Sequence, residues 1–405
     1  MKKIFSYFIS GVFLMGLTLS FAQAEANPTT IKIGAAPPLT GMFAALGTEV
    51  HEGYLLAVAD INKSGGVYVK KFNKKIPLEY VSIDSESDPV KVVSRYETLF
   101  SRDKVIVYLG AAASSMNAAA STVAAKNKIP YLGVAFSLLD IHQHKNRYLF
   151  SPYQKSDDQA EVFALINKVI PNNQRPAKIA IWEIQSDWGK EQSHYWKEQG
   201  TKHGYKTVSF KKFTFGTKDF SPHIIEAKAA GAEMLLAIPT GPQAIQAMKQ
   251  MKELKYTPKL LVLNRGTENM TWAEAMGKDG DYVTGVRAWT PKDFRFDGAE
   301  HFVNTSVAKF GHKPGINGGP AYASVQIVAK AIEMAGSLDR DKIRDIIAST
   351  EFMTIAGSVK FADDGTWENC PVRLTQWLNG KNEAVLPEDL ASSKFVYPMP
   401  AWDQR

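Results

Sequence analysis

The sequence predicts an α/β protein of two lobes, each a mostly parallel sheet flanked by helices. Three observations predict it. Strand-like and helix-like runs alternate along most of the chain, the pattern of parallel strands joined by covering helices. Two strand runs, KVIVYLG (104–110) and AEMLLAI (232–238), are almost continuously apolar, as strands buried on both faces are. A chain of 405 residues also exceeds what one core usually supports. One sheet is expected over roughly 31–150 and a second over roughly 155–285, typical sizes for α/β units.

Taken in order, residues 1–24 stand apart. Lys2 and Lys3 precede an apolar run over 4–21, and Ala22-Gln23-Ala24 supplies a small-x-small cleavage site. This is the pattern of a secretory signal peptide cleaved after Ala24. An uncleaved membrane anchor is the competing reading, and the polar EANPTT that follows favours removal. No later segment is apolar over the length a bilayer requires.

IKIGAA (31–36) reads as the first strand and Pro-Pro-Leu-Thr-Gly as a tight turn. Leu46, Val50, Tyr54, Ala57, Val58 and Ile61 then form one apolar helical face, and Gly65-Gly66 stops the helix. A turn from a strand's carboxyl end into a helix start is where open α/β sheets bind small ligands. Unpaired N–H groups there favour a carboxylate. PLEYVSID (77–84) precedes a helix over 90–100, and residues 104–110 precede one over 115–127. IPYLGV (129–134) ends in Ala135-Phe136-Ser137. Phe150-Ser151-Pro152-Tyr153 reads as a crossing segment, because proline cannot continue a central strand. AKIAIWEI (177–184), TVSFKKF (207–213) and AEMLLAI lead into helices over 189–204, 222–231 and 243–254, and KLLVLN (259–264) follows. Beyond Gly285 the pattern is irregular up to a helix over 321–336. The tail SVKFADDGTWENCPVRLTQWLNGK has strand runs joined by Asp-Asp-Gly and Asn-Gly-Lys, the mark of antiparallel hairpins.

The formal net charge of +7 is spread along the chain, which gives no footprint for nucleic acid. Cys370 is the only cysteine, so an exported chain must be held by a large core and not by an internal disulfide. There is no GxxxxGK[ST], no GxGxxG after a strand, no GxSxG, no HExxH and no CxxC. No cofactor is expected. His142 and His144 lie in a hydrophilic stretch that reads as a solvated loop, with a metal site as the alternative. No pair of carboxylates stands out for acid–base work. Scattered active sites exist, so a secreted hydrolase stays open as a different class.

PLTG followed by a helix ending in ADIN-x-x-GG resembles the leucine/isoleucine/valine-binding protein family of ABC-importer receptors. So do LGAAASSMNAAASTVAAKNKIPYLG, SDWGKE (186–191) and PAYASVQIVAKAIEMAGSLDRDKI (320–343), in the right order over nearly the whole chain. The resemblance implies the type I periplasmic-binding-protein fold, with two α/β lobes, three crossing strands and a ligand cleft between them. It puts the third crossing near 354–357. The first lobe would then comprise 25–152 and 286–354, and the second 153–285 and 355–405.

Candidate ligand residues follow the strand ends. Ser114 and Ser115 open the Ala-rich helix, where a serine either caps the helix or gives its hydroxyl to an anion. The family binds the ligand carboxylate in this loop through a serine hydroxyl and backbone N–H groups. At Ala135, Phe136 and Ser137 the family uses a backbone carbonyl and a hydroxyl; a plain turn serine is the other reading of Ser137. Trp188 stands where the family commonly has tyrosine, and an indole can cover an apolar ligand and still donate its N–H. Packing in a core or hinge is its competing role. Thr240 follows the second lobe's apolar strand, either as a turn residue or in the site. Trp289 follows the second crossing and either packs or closes the cleft. The family offers an acid to the ligand ammonium after the strand matching KLLVLN, and here that loop reads Asn264-Arg265-Gly266-Thr267-Glu268. Glu268 in the acidic role keeps an amino acid plausible, whereas Arg265 facing the cleft favours a second carboxylate. Glu183 and Asp187 are further candidate anions.

The expectation is a non-enzymatic, periplasmic solute receptor. It captures a branched-chain or other hydrophobic amino acid, or a related small carboxylate, by lobe closure, and docks as a monomer on an inner-membrane ABC permease. A sensor presenting ligand to a membrane receptor is the alternative among binding proteins.

Overall fold

The computed structural model describes residues 27–268 and 270–405; the expected signal peptide lies outside the described residues. Two sheets organise the chain. The first has five parallel strands in the order Leu78–Ser82, Ile31–Ala35, Val107–Leu109, Tyr131–Leu132, Leu149–Phe150. The second has seven, in the order Lys381–Leu386, Arg373–Leu378, Thr284–Arg287, Leu260–Leu263, Met234–Ala237, Lys178–Ile184, Lys206–Phe213. Its inner strands are parallel, and the hairpin of the two C-terminal strands lies antiparallel along one edge. This is the two-lobed α/β architecture the alternation of runs predicts, and the Asn379-Gly380 turn closes the expected tail hairpin.

Helix Ala44–Lys63 buries Val50, Tyr54, Leu56 and Ala57, each large side chain contributing about 1.5–3 kcal/mol. It runs against helix Gly318–Ala335. A side chain at Gly53 would strike the Gly318 carbonyl and Ala321, so glycine sets the close approach of the two helices. Gly65 and Gly66, at φ of 94° and 90°, end the helix, the Gly66 N–H reaching back to the Ile61 carbonyl at 3.0 Å. Helix Pro89–Ser101 starts at Asp88, whose carboxylate accepts from Val90 and Lys91 N–H. It packs on helix Ser114–Asn127 over an edge-to-face cluster of Tyr96, Tyr108 and Tyr131.

Helix Ala299–Phe310 was not apparent in the stretch read as irregular. Gly298 and Gly311, at φ of 85° and 81°, bracket it, and Phe302 and Val303 tie it to the first core. The chain's third passage between cores also differs from expectation. Ile355, Ala356, Val359, Phe361, Trp367 and Cys370 all join the first core, so 355–370 packs there, and the passage to the second sheet falls between Cys370 and Arg373. The apolar side chains of the Phe352–Thr354/Gly357–Val359 hairpin are what hold this segment back. His142 departs from the solvated-loop reading as well. It is buried, stacks on Phe136, and pairs Nδ1 with the Asp364 carbonyl at 2.9 Å; His144 is exposed.

Candidate functional site

A cavity of about 660 Å³ opens between the carboxyl ends of the two sheets, within the size range of small-molecule sites. Several helices begin at its wall, among them Ala44–Lys63, Ser114–Asn127, Asp187–Lys202 and Gly241–Glu253. The first N–H groups of a helix have no partner inside it, and its dipole is positive at that end. Their convergence makes the cavity receptive to an anion.

The wall from the first lobe is shaped by backbone. Ala112, Ala113 and Ala135 hold φ of 56°, 62° and 55°, a conformation that costs alanine energy and that clusters at functional sites. Ala113, not a serine, is the residue preceding helix Ser114–Asn127, and no side chain caps this helix. Ser114 therefore has no capping duty, and its buried Oγ has no hydrogen-bond partner; the side chain lines the cavity, as does exposed Ser115. Below them the buried Asn117 amide donates to the carbonyls of Ala113 (2.8 Å) and Val134 (3.2 Å). Tyr131 OH donates to Asn117 Oδ1 and accepts from Ala111 N–H. The Ala113 N–H bonds the Ala135 carbonyl at 3.0 Å. These bonds lock the two ligand loops to each other.

Ala135, Phe136 and Ser137 also line the cavity, but their polar groups are engaged. The Ser137 hydroxyl accepts from Gln159 Nε2 at 3.1 Å, and its carbonyl accepts from Ser156. The Phe136 carbonyl accepts from Lys155 Nζ, which sits 3.5 Å from the centre of the Phe136 ring and also donates to Ser151 Oγ. Burial pushes the Lys155 amine down to about 7. Thr240 lines the cavity too, with its hydroxyl turned to Gln243 Oε1 at 3.0 Å, closing a cap at the start of helix Gly241–Glu253.

The wall from the second lobe is made of side chains. Arg265 lies among three rings, its guanidinium carbon 5.1 Å from the centre of Phe43, 5.9 Å from Trp188 and 5.8 Å from Phe215. It has no hydrogen-bond or ion-pair partner among the described residues, and burial holds its pKa below the usual value. Trp188 is half-buried, with its indole N–H unpartnered. Phe43 and Phe215 meet edge to face at 6.2 Å, joining the lobes across the cavity mouth. Glu268 faces the same cavity, so Arg265 and Glu268 are both present there and neither excludes the other. Asp187 lines it as well, whereas Glu183 does not; it is buried and pairs with Lys212 at 3.2 Å.

Trp289 is corrected. It does not reach the cavity but sits buried in the first core, packed on Phe302 and against Gly319, where any Cβ would overlap its ring. An indole directly after a sheet-to-core passage is well placed to pack. The sequence reading missed Phe43, Phe215, Tyr153, Asn317 and Glu49, all on the wall. For Glu49 a signal existed, since it stands three residues after Leu46 and the two share one edge of the helix. Both Glu49 oxygens accept from Asn317, Oε1 from the backbone N–H and Oε2 from Nδ2, each at 2.9 Å. Tyr153 OH donates to Asn317 Oδ1. Burial pushes the Glu49 carboxyl up to about 7, against the lowering effect of the two Asn317 bonds.

Residues 30–382 match the family model described as periplasmic binding protein. A leucine-, isoleucine-, valine-, threonine- and alanine-binding protein of Pseudomonas aeruginosa is 25% identical over 370 residues, covering 91% of this chain and 95% of its own. Among solved structures, the branched-chain amino acid transporter substrate binding protein LivJ of Streptococcus pneumoniae, in complex with isoleucine, superposes with a TM-score of 0.77 at 22% identity, over 88% of this chain and 100% of that one. A solute binding protein of an ABC transporter from Rhodopseudomonas palustris, in complex with 3,4-dihydroxy benzoic acid, superposes with a TM-score of 0.76 at 18% identity, over 93% and 100%. With a two-sheet fold, a cleft between the sheets and a family match over nearly its whole length, this chain belongs to the periplasmic binding protein family of ABC-transporter substrate-binding proteins.

Proposed function

We propose that the protein is the solute receptor of an ABC importer and captures a small carboxylate with an apolar body. A branched-chain or other hydrophobic amino acid is the first class, and the relatives that bind such amino acids support it. A single observation carries the reading: one cavity holds an unpartnered serine hydroxyl at a helix start and an unpaired guanidinium ringed by aromatic side chains. The ligand carboxylate would take the Ser114 hydroxyl and the N–H groups behind it, and the apolar body would lie on Trp188 and Phe215. An aromatic acid is the second reading, favoured by the three rings around Arg265 and by the neighbour that holds 3,4-dihydroxy benzoic acid.

In this proposal 27–152 with 288–370 form one lobe, and 155–286 with 373–405 the other. Ligand binds the closed arrangement better than the open one and so shifts the population towards closure. The protein works in the periplasm after removal of 1–24, performs no chemistry on its ligand, and hands it to an inner-membrane permease. No described helix is long and apolar enough to cross a membrane. Mass spectrometry of the small molecule that co-purifies, followed by calorimetric titration with leucine, phenylalanine and benzoate, tests the reading. Stoichiometric binding with unchanged ligand and a smaller radius of gyration by X-ray scattering is expected. Conversion of a bound compound into product, or no binding of any of the three, overturns it.

A further inference from the structure

The cavity wall carries three carboxyl groups, Glu49, Asp187 and Glu268, and the sequence points to the last two only. Glu49 is built into its place. Asn317 holds both of its oxygens, Tyr153 orients Asn317 from the first sheet-to-sheet passage, and a side chain at Gly315 would overlap Glu49 Oε1. No cation pairs with it among the described residues. A carboxyl clamped by neutral donors and facing a second carboxyl, Glu268, across a cavity needs either a proton or a ligand cation.

We infer that Glu49 is a selectivity residue that exchanges a proton for the ammonium of a ligand. This rests on the small-carboxylate reading above and deepens it. In the empty cavity around neutral pH, Glu49 is partly protonated by its burial. An ammonium placed between Glu49 and Glu268 favours the ionised form, so binding expels the proton. A plain carboxylate placed there favours the protonated form, so binding takes a proton up. The two ligand types then respond to pH with opposite sign. Affinity for an amino acid rises through the neutral range, whereas affinity for its desamino analogue falls.

The charged and titratable groups facing Glu49 come from every side of the site. Glu52 lies one turn on and pairs with His312 at 3.5 Å. Glu268, Arg265 and Asp187 share the cavity wall. Arg287 lies beneath the floor, bonded to the carbonyls of Leu263, Asn264 and Val286. Tyr153 stays neutral, its pKa raised by burial. Burial raises the Glu52 carboxyl, and a slope arising there would survive changes at Glu49.

The test uses matched pairs, leucine with 4-methylpentanoate and phenylalanine with 3-phenylpropanoate, titrated calorimetrically between about pH 6 and about pH 8 in buffers of different ionisation heat. None of the four probes itself changes charge appreciably across this window. For the wild-type protein, proton release is expected with the amino member and proton uptake with the desamino member, with affinities shifting roughly tenfold in opposite directions across the window. Glu49→Gln should fold, flatten both dependences and remove most of the preference for the amino member. Wild-type proton counts need no variant, so they decide the matter even if Glu49→Gln is unstable. Equal and pH-independent binding of both members, or a slope that persists in a folded Glu49→Gln, overturns the inference and leaves the receptor reading intact. If no member of either pair binds, the small-carboxylate reading and this inference fall together.

Discussion

The two walls of the cavity are made of different material. The first-lobe wall is backbone held under strain: three alanines at positive φ, fixed by the buried Asn117–Tyr131 pair, with Ser114 as the free hydroxyl. The second-lobe wall is side chain: Trp188, Phe215 and Arg265, half-buried and held by ring contacts more than by hydrogen bonds. Strained backbone cannot be retuned by single substitutions, whereas side chains can. The first wall suits the constant part of a ligand, its carboxylate, and the second suits the part that varies.

The sharpest way to break this comparison is Arg265→Ala. If the guanidinium meets a ligand anion in the desolvated cleft, affinity should fall by roughly a hundredfold or more, the range for truncating a buried charge partner. Unchanged affinity by calorimetry would mean that the cation only braces the rings. Ser114→Ala comes next. A hydrogen bond to a charged group is worth about 1.5–3 kcal/mol, so binding should weaken roughly ten- to a hundredfold. The melting temperature should hold, because the Oγ has no partner to lose. Ser115→Ala, at an exposed position, should cost less, and the reverse order would move the carboxylate site one residue along the helix. Trp188→Ala should weaken ligands with large apolar bodies by about tenfold and small ones hardly at all. A uniform loss would deny the second wall its role in discrimination. The smallest effect belongs to Ala113→Gly, which relieves left-handed strain but frees the unfolded chain. Stability should change by less than about 1 kcal/mol, read in a denaturant titration, while affinity drops as the loop loosens.

Much of this was legible in the residues, and the parts that were not have physical causes. Strands announced themselves because central strands must be apolar on both faces, as in 104–110 and 232–238. Cavity residues at strand ends, Ser114, Ser137 and Thr240, were found because topology dictates where a cleft opens. Which hydroxyl is free was not legible. Ser137 and Thr240 spend theirs on Gln159 and Gln243, partners distant or unmarked in sequence. Helix spacing puts Glu49 beside Leu46, but its role was not legible, since its environment is made by Asn317, 268 positions away. Trp289 misled because an indole beside a passage between lobes serves packing and binding equally well until the neighbouring Gly319 is known. The segment 355–370 was misassigned because its short hairpin carries no period long enough to say which core it joins.

The pairing of helix Ala44–Lys63 with helix Gly318–Ala335 has a consequence in time. Tyr322 OH reaches Asp60 at 2.8 Å across 262 positions of chain. The lobe that begins first during synthesis is thus completed only late, its leading helix bare on one face until the late helix arrives. The strands from Lys178–Ile184 to Leu260–Leu263, by contrast, are contributed by one continuous stretch. Contacts of such long separation form slowly. If the chain is exported as proposed, threaded amino end first through a translocation pore, that lag keeps the leading third of the molecule from locking into its native core before the rest has passed.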